Sequence, residues 1–402
     1  MGDSKLFPCP REWTGDLESS LAETLERWAE SELMAKRLEL KESYSELLEP
    51  AMKKLFLEIG LQRLLWPEEH GGDGHNQPAA ALTAASALEQ VARGDVGIAF
   101  ALACLFSLQQ LVAMEGRIKE EACRELAPLI TSKENLSLVA PLLPLFRERP
   151  QAVARESRGG FTVEAEAARP VAFGGNSSLF AVMCSLEGSE HSVGLVVVPA
   201  DAKGVERGEM VKRTGLAADL HCPVTFSKVR VPGALAVALG PEECRSFIAW
   251  LCLGVSACCV GAMFAAFEIL REWGDNRVIK GRDNIFKENP LTASVMAEVA
   301  KETSLSRILT WHLARVLSLP EVYGPAGSEE NHVNALMIAH QVAQSAERAT
   351  HQAMEMMASA GYAKEWQLER YWRDVKTVQL ALGPYELAKM DVSRRFYQAT
   401  TL

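Results

Sequence analysis

Residues 178–199 read SLFAVMCSLEGSEHSVGLVVVP: two apolar runs, rich in β-branched residues toward the end, separated by Gly, Ser and charged residues. Runs of this length and composition form strands, and the polar break between them is where the chain turns. GFTVEAEA (160–167) and CPVTFSKVRVP (222–232) have the same character. The stretch 135–240 is therefore expected to be a small antiparallel β domain.

On both sides of it the apolar period lengthens to that of a helix. Upstream, LLEPAMKKLFLEIGL repeats apolar positions in threes and fours, with Gly60 as a plausible C-cap. PEEHGGDG (67–74) is a turn, and ALTAASALEQVARGDVGIAFALACLFSLQQLVAM reads as two helices broken near Gly94-Asp95. Downstream, long helices are expected over Glu243 to Trp273, Leu291 to Leu317, His332 to Ala360 and Pro384 to Tyr397. The chain is thus mainly α with a central β domain: a helical domain over 1–134, the β domain, and a helical bundle over 241–402. A crevice is expected where the three parts meet, since domain junctions are preferred ligand sites.

The totals narrow the class. The chain has 402 residues, 48% hydrophobic and 23% charged, with a formal net charge of −10. That balance argues against nucleic acid or an anionic membrane as main partner, while a local basic patch still admits an anionic ester. Nine cysteines, an odd number with no CxxC spacing, read as reduced thiols in a cytoplasmic protein. The opening MGDSKLFPCPREWTG holds no secretory-type apolar run. Phe247 to Leu270 is the most apolar stretch, yet it contains Gly254, Ser256, Gly261 and Glu268. It reads as a buried bundle helix, not a membrane span.

Local strings fall into a known order. LFLEIGLQRLLWPEEHGGDG (55–74), LEQVARGDVGIAFAL (88–102), GLVVVPADAKGVERG (194–208) and TFSKVRVP (225–232) come first, and ASAGYAKEWQLERYWRD (358–374) comes late. Together they make the chain resemble the FAD-dependent acyl-CoA dehydrogenases, as a divergent member. The resemblance implies an N-terminal helical domain, a β domain and a C-terminal four-helix bundle. It also implies FAD, an acyl-CoA thioester substrate, and electron-transfer flavoprotein as acceptor if the chain is active. In that chemistry a carboxylate removes the α-proton while the β-hydrogen leaves as hydride to the flavin. The base is essential because a proton beside a thioester is only weakly acidic.

Several positions depart from the family pattern. The turn that should carry the glutamate reads Ala381-Leu382-Gly383-Pro384, so Leu382 stands where the base is expected, with Ala381 beside it against substrate and Gly383 retained. Glu386, one turn on, is the nearest carboxylate and a weak substitute. The alternative position on the helix after the β domain falls around Trp250-Leu251-Cys252; Cys252 could serve only as a thiolate stabilised by a nearby cation. The flavin-facing strands read LVAPLLPLFR (138–147) and RPVAFGG, placing Ala140, Phe146, Arg169 and Val171 where hydroxyls and aromatics are usual. Arg277, with Lys280, Gly281 and Arg282 after it, matches the arginine that meets the FAD pyrophosphate. Asn289 falls near the adenine-binding glutamine; the signature's second glycine pair reads Ala358-Ser359, although Gly361 survives.

His332 and His340, eight apart on one helix, read as structural histidines, and Met354, Met356 and Met357 read as a core stripe. The Ala-rich helix over 343–360 is expected to pack on a second subunit, in a homo- or hetero-oligomer with a paralogue. Three readings follow: a companion subunit that keeps the fold without its own reaction, a self-sufficient dehydrogenase with a relocated base, and a non-redox acyl-CoA lyase or isomerase. FAD is accordingly bound weakly, shared with a partner, or absent.

Overall fold

The computed structural model describes residues 6–7, 10–36, 47–76, 79–113, 119–144, 150–188, 193–278 and 286–397. Five helices come first: α1 (Asp16–Ala29), α2 (Leu48–Lys53), α3 (Ala80–Gly94), α4 (Val96–Val112) and α5 (Glu120–Ile130). Asp95 divides α3 from α4. Its extended backbone stops the first helix, and its carboxylate caps the second by accepting from Ile98 N–H at 2.8 Å. Every residue of α3 and α4 is buried, so these are core helices. Gly60, at φ +93, supplies the left-handed residue that ends the preceding helical turn.

The middle of the chain holds β1 (Val139–Leu142), β2 (Ala152–Ser157), β3 (Gly160–Val171), β4 (Leu179–Glu187), β5 (Val193–Pro199), β6 (Val205–Arg207), β7 (Cys222–Pro232) and β8 (Ala236–Ala238). The sheet runs β6-β7-β3-β2-β4-β5-β8. It is mixed, where a purely antiparallel sheet was expected. β1 lies parallel on Leu179–Val182 of β4, and β2 lies parallel on the second half of the same edge. The remaining pairings are antiparallel. Both strands follow one edge of β4 in its own direction, and a hydrophobic period does not report strand direction.

Six helices follow: α6 (Pro241–Asn276), α7 (Pro290–Ser318), α8 (Pro320–Tyr323), α9 (Glu329–Met357), α10 (Leu368–Val378) and α11 (Tyr385–Tyr397). α6 is long and apolar enough to cross a membrane, but 94% of its most apolar window is buried in the bundle. It packs on α3, α4, α7 and α9. Gly254 and Gly261 make those contacts close: an added Cβ would come within 2.4 Å of the Ala103 methyl and 2.3 Å of the Glu89 carbonyl. On α9, Ala343, Ala346, Ala349 and Ala353 are buried inside the chain's own bundle, where the helix packs on α6 and α7. Two charged residues deep in the bundle, Glu89 and Arg93, are paired. Glu89 meets Arg307 at 3.1 Å and the Trp311 indole N–H at 2.8 Å, and Arg93 bridges Glu30 and Glu268.

Candidate functional site

α10 leads directly into the turn that holds Ala381 and Leu382. Gln379–Leu382 form a 3-10 turn closed by Gly383 at φ +82, a backbone angle only glycine adopts without strain. Leu382 is buried and Ala381 half-buried. Glu386 lies in the first turn of α11; its side chain is 77% exposed and pairs with Lys389 at 2.7 Å. Cys252 is fully buried on α6, and burial pushes its thiol well above the ordinary range, opposite to what a thiolate base requires.

The flavin-strand positions are aliphatic and enclosed. Ala140 pairs with Phe180 across β1–β4, Val171 pairs with Cys222 across β3–β7, and both side chains are buried. Neither carries a hydroxyl. Beside Val171 the chain turns through Phe173, which is fully buried at φ +59 with its ring 5.6 Å from that of Phe100 on α4. The Phe173 N–H is held by the Asp219 carboxylate. Aromatic packing thus links the β domain to the N-terminal helices. Arg169 is exposed, with its backbone N–H on Gln151.

The other predicted positions are dispersed. Arg277 ends α6 with an exposed side chain that forms no ion pair among the described residues. Its carbonyl accepts from Phe286 N–H at 2.7 Å. Asn289 caps α7, its amide oxygen accepting from Leu291 N–H at 2.9 Å. Gly361 is a clearance residue, since a Cβ there would lie 2.3 Å from the Met354 carbonyl. Phe146, Lys280, Gly281 and Arg282 lie outside the described residues. His332 and His340 are held to about 4, His332 by burial and then the charge of Arg245, His340 by burial alone. No cluster of metal-ligating side chains occurs among the described residues. Met354 and Met357 are core, with Met356 half-buried.

A crevice of about 1500 Å³ lies where the β-domain loop 211–220 meets residues 362–374. Beside it, Arg370 donates to Asp95 at 2.6 Å and to the Gly94 carbonyl at 3.0 Å, tying α10 to the α3–α4 break. Asp374 accepts from Leu216 N–H at 2.5 Å. Asp219 binds Arg213 at 2.7 Å as well as Phe173. The sequence carried a partial signal for this cluster: the Arg373-Asp374 pair stood out, but its link to Asp95, some 280 positions away, is visible only in space.

The comparisons agree with this layout. A family model described as "Acyl-CoA dehydrogenase, N-terminal domain" matches residues 16–128, and one described as "Acyl-CoA dehydrogenase, C-terminal domain" matches 244–397. The chain is 24% identical over 385 residues to the mitochondrial short-chain specific acyl-CoA dehydrogenase of Bos taurus, covering 93% of this chain and 88% of that protein. Butyryl-CoA dehydrogenase from Megasphaera elsdenii superposes with a TM-score of 0.79 at 20% identity, over 96% of this chain and 99% of that one. A glutaryl-CoA dehydrogenase from Mycobacterium smegmatis, in complex with FADH2, gives 0.76 at 15% identity, over 98% and 97%. At these identities the structural likeness speaks for the fold.

Proposed function

The chain belongs to the acyl-CoA dehydrogenase family, and from that premise we propose that it acts as a companion subunit of a flavin-dependent acyl-CoA α,β-dehydrogenase, without turnover of its own. The observation that carries this reading is Leu382. A buried aliphatic side chain fills the turn where a carboxylate would be needed, and the nearest one, Glu386, faces solvent. Removal of an α-proton requires a base within about 3 Å of it, directly or through one water.

FAD, when bound in this family, supplies the hydride acceptor. The residues here fit it unevenly. Arg277 is suited to its phosphates, but Ala140 and Val171 offer the ring no hydrogen bond, and Phe173 and Phe100 fill the adjoining junction. No chemical step on this chain is assigned to the flavin. In the proposed assembly, in the cytoplasm, a paralogue contributes base and flavin ring and passes electrons to an electron-transfer flavoprotein, while this chain completes the interface and shares the acyl-CoA. Arg277 favours one alternative, a self-sufficient flavoprotein with a displaced base.

The experiment is co-expression with an acyl-CoA dehydrogenase paralogue from the same genome. A stable mixed complex whose turnover exceeds that of the paralogue alone supports the reading. No association, with full turnover by this chain alone, contradicts it.

A further inference from the structure

Phe173 is fully buried at φ +59, a left-handed angle that a bulky side chain rarely takes. An outlier of this kind persists only where its surroundings over-determine it. They do so here. The Phe173 N–H donates to the Asp219 carboxylate, itself tied to Arg213 at 2.7 Å. Its carbonyl accepts from Ser177 N–H at 2.8 Å, and Gly175 N–H donates to the Leu220 carbonyl at 2.7 Å. Asn176 adds its side-chain amide, which donates to the Ala218 carbonyl at 3.2 Å. The turn after β3 and the loop before β7 thus clamp one aromatic side chain in place.

That side chain is aimed at α4. Gly97 and Phe100 lie one turn apart on this helix and share a face. A Cβ added at Gly97 would come within 2.9 Å of the Ala218 methyl, so α4 presses on the same loop that holds Phe173. Phe100 then meets Phe173, with ring centroids 5.6 Å apart and planes tilted by 36°. β1, which carries Ala140, packs on both α4 and β3, and Val171 ends β3 two residues before Phe173. Phe100, Ala140, Val171 and Phe173 are all 2% exposed or less. The two segments whose sequence reads as flavin-facing therefore converge on a junction filled by two phenyl rings.

We propose that Phe173, seated on Phe100, is a built-in plug that occupies the place of the flavin ring and keeps this chain free of flavin. A close-packed interior has no spare volume for a tricyclic planar group. Asparagine takes a left-handed angle more readily than phenylalanine does, so the aromatic residue at this position is favoured by what it fills. The part of the cofactor that does not fit is the ring; Arg277, at the end of α6, is suited to the phosphates and lies outside the plug.

The inference rests on the companion-subunit reading, in which a partner holds the ring, but the two fail separately. Lumiflavin is the ring without phosphates or adenine, so it takes Arg277 out of the question, and fluorescence quenching reads its binding to the full chain. The wild type should bind none. Phe173→Asn combined with Phe100→Ala empties the junction and should bind lumiflavin with an affinity at least about tenfold above the limit set by the wild type. Phe226→Ala, which opens a hole inside the sheet beside Phe180, should bind none and so separates a ring site from general loosening. Melting curves establish which variants are folded; Phe173→Asn alone, or Phe100→Ala alone, decides if the double variant is not. Saturable binding by the wild type, no gain in the folded junction variants, or an equal gain in Phe226→Ala overturns the proposal. A wild type that excludes lumiflavin yet never associates with a paralogue leaves the plug standing and removes the companion-subunit reading.

Discussion

Leu382 and Glu386 lie four residues apart and face opposite ways: Leu382 is 6% exposed against the core, while the Glu386 side chain is 77% exposed on Lys389. The turn at Gly383 separates them and sends α11 outward. Glu386→Gln should therefore leave the melting temperature unchanged and alter no activity. Leu382→Glu should destabilise by roughly 2 kcal/mol or more, because it places a carboxylate without partners in a closed site. It should restore no turnover, which acyl-CoA assays with an artificial acceptor would check.

The pair Glu89–Arg307 joins α3 to α7, with Trp311 as third partner. Burial pushes the Glu89 carboxyl upward, against the pull of Arg307 and Trp311. Removing the cation alone, as in Arg307→Met, should cost about 3–5 kcal/mol in urea unfolding, the range for a buried charge left without its partner. Adding Glu89→Gln should recover part of that loss.

Glycines test the packing from both sides. Gly361→Ala forces a methyl into the Met354 carbonyl and should destabilise by about 1–3 kcal/mol. Gly274, within α6, has nothing within 4 Å of an added Cβ. Gly274→Ala should instead stabilise by about 0.5–1 kcal/mol through helix propensity. Thermal melts of the two variants should move in opposite directions.

Acid should weaken the bundle through its histidines. His332 and His340 are held neutral, at about 4 in the fold against an ordinary 6.5. Their contribution is full above pH 6.5 and is lost as pH falls through about 4. Melting temperatures between pH 4 and 7.5, compared at each pH with those of a His332→Gln, His340→Gln variant, should show a histidine-dependent part that falls in that window. A His332→Gln, His340→Gln variant should flatten the fall.

Much of this was legible in the chain. Each of the four late helices was anticipated to within three residues at either end, because Gly240, Asn289 and Ser328 precede strongly periodic segments. The runs at 160–167, 178–186, 191–200 and 222–232 mark the four longest strands, the first of which extends four residues further, to Val171. The parallel pairings of β1 and β2 did not stand out, since four to six residues carry too little pattern to fix direction. The turn at Leu382 lies where the chain's local pattern put it, as a short 3-10 turn closed by Gly383. The Asp95–Arg370–Asp374 cluster was not legible, because its members come from distant segments. Nor was the contact between Phe100 and Phe173, two aromatic residues that look like ordinary core in sequence.

The most direct test of the companion-subunit reading is the visible spectrum of the chain purified alone, with flavin quantified against protein. A colourless protein that does not turn over acyl-CoA esters is the predicted result. Stoichiometric FAD with rapid dehydrogenation by the isolated chain would contradict it.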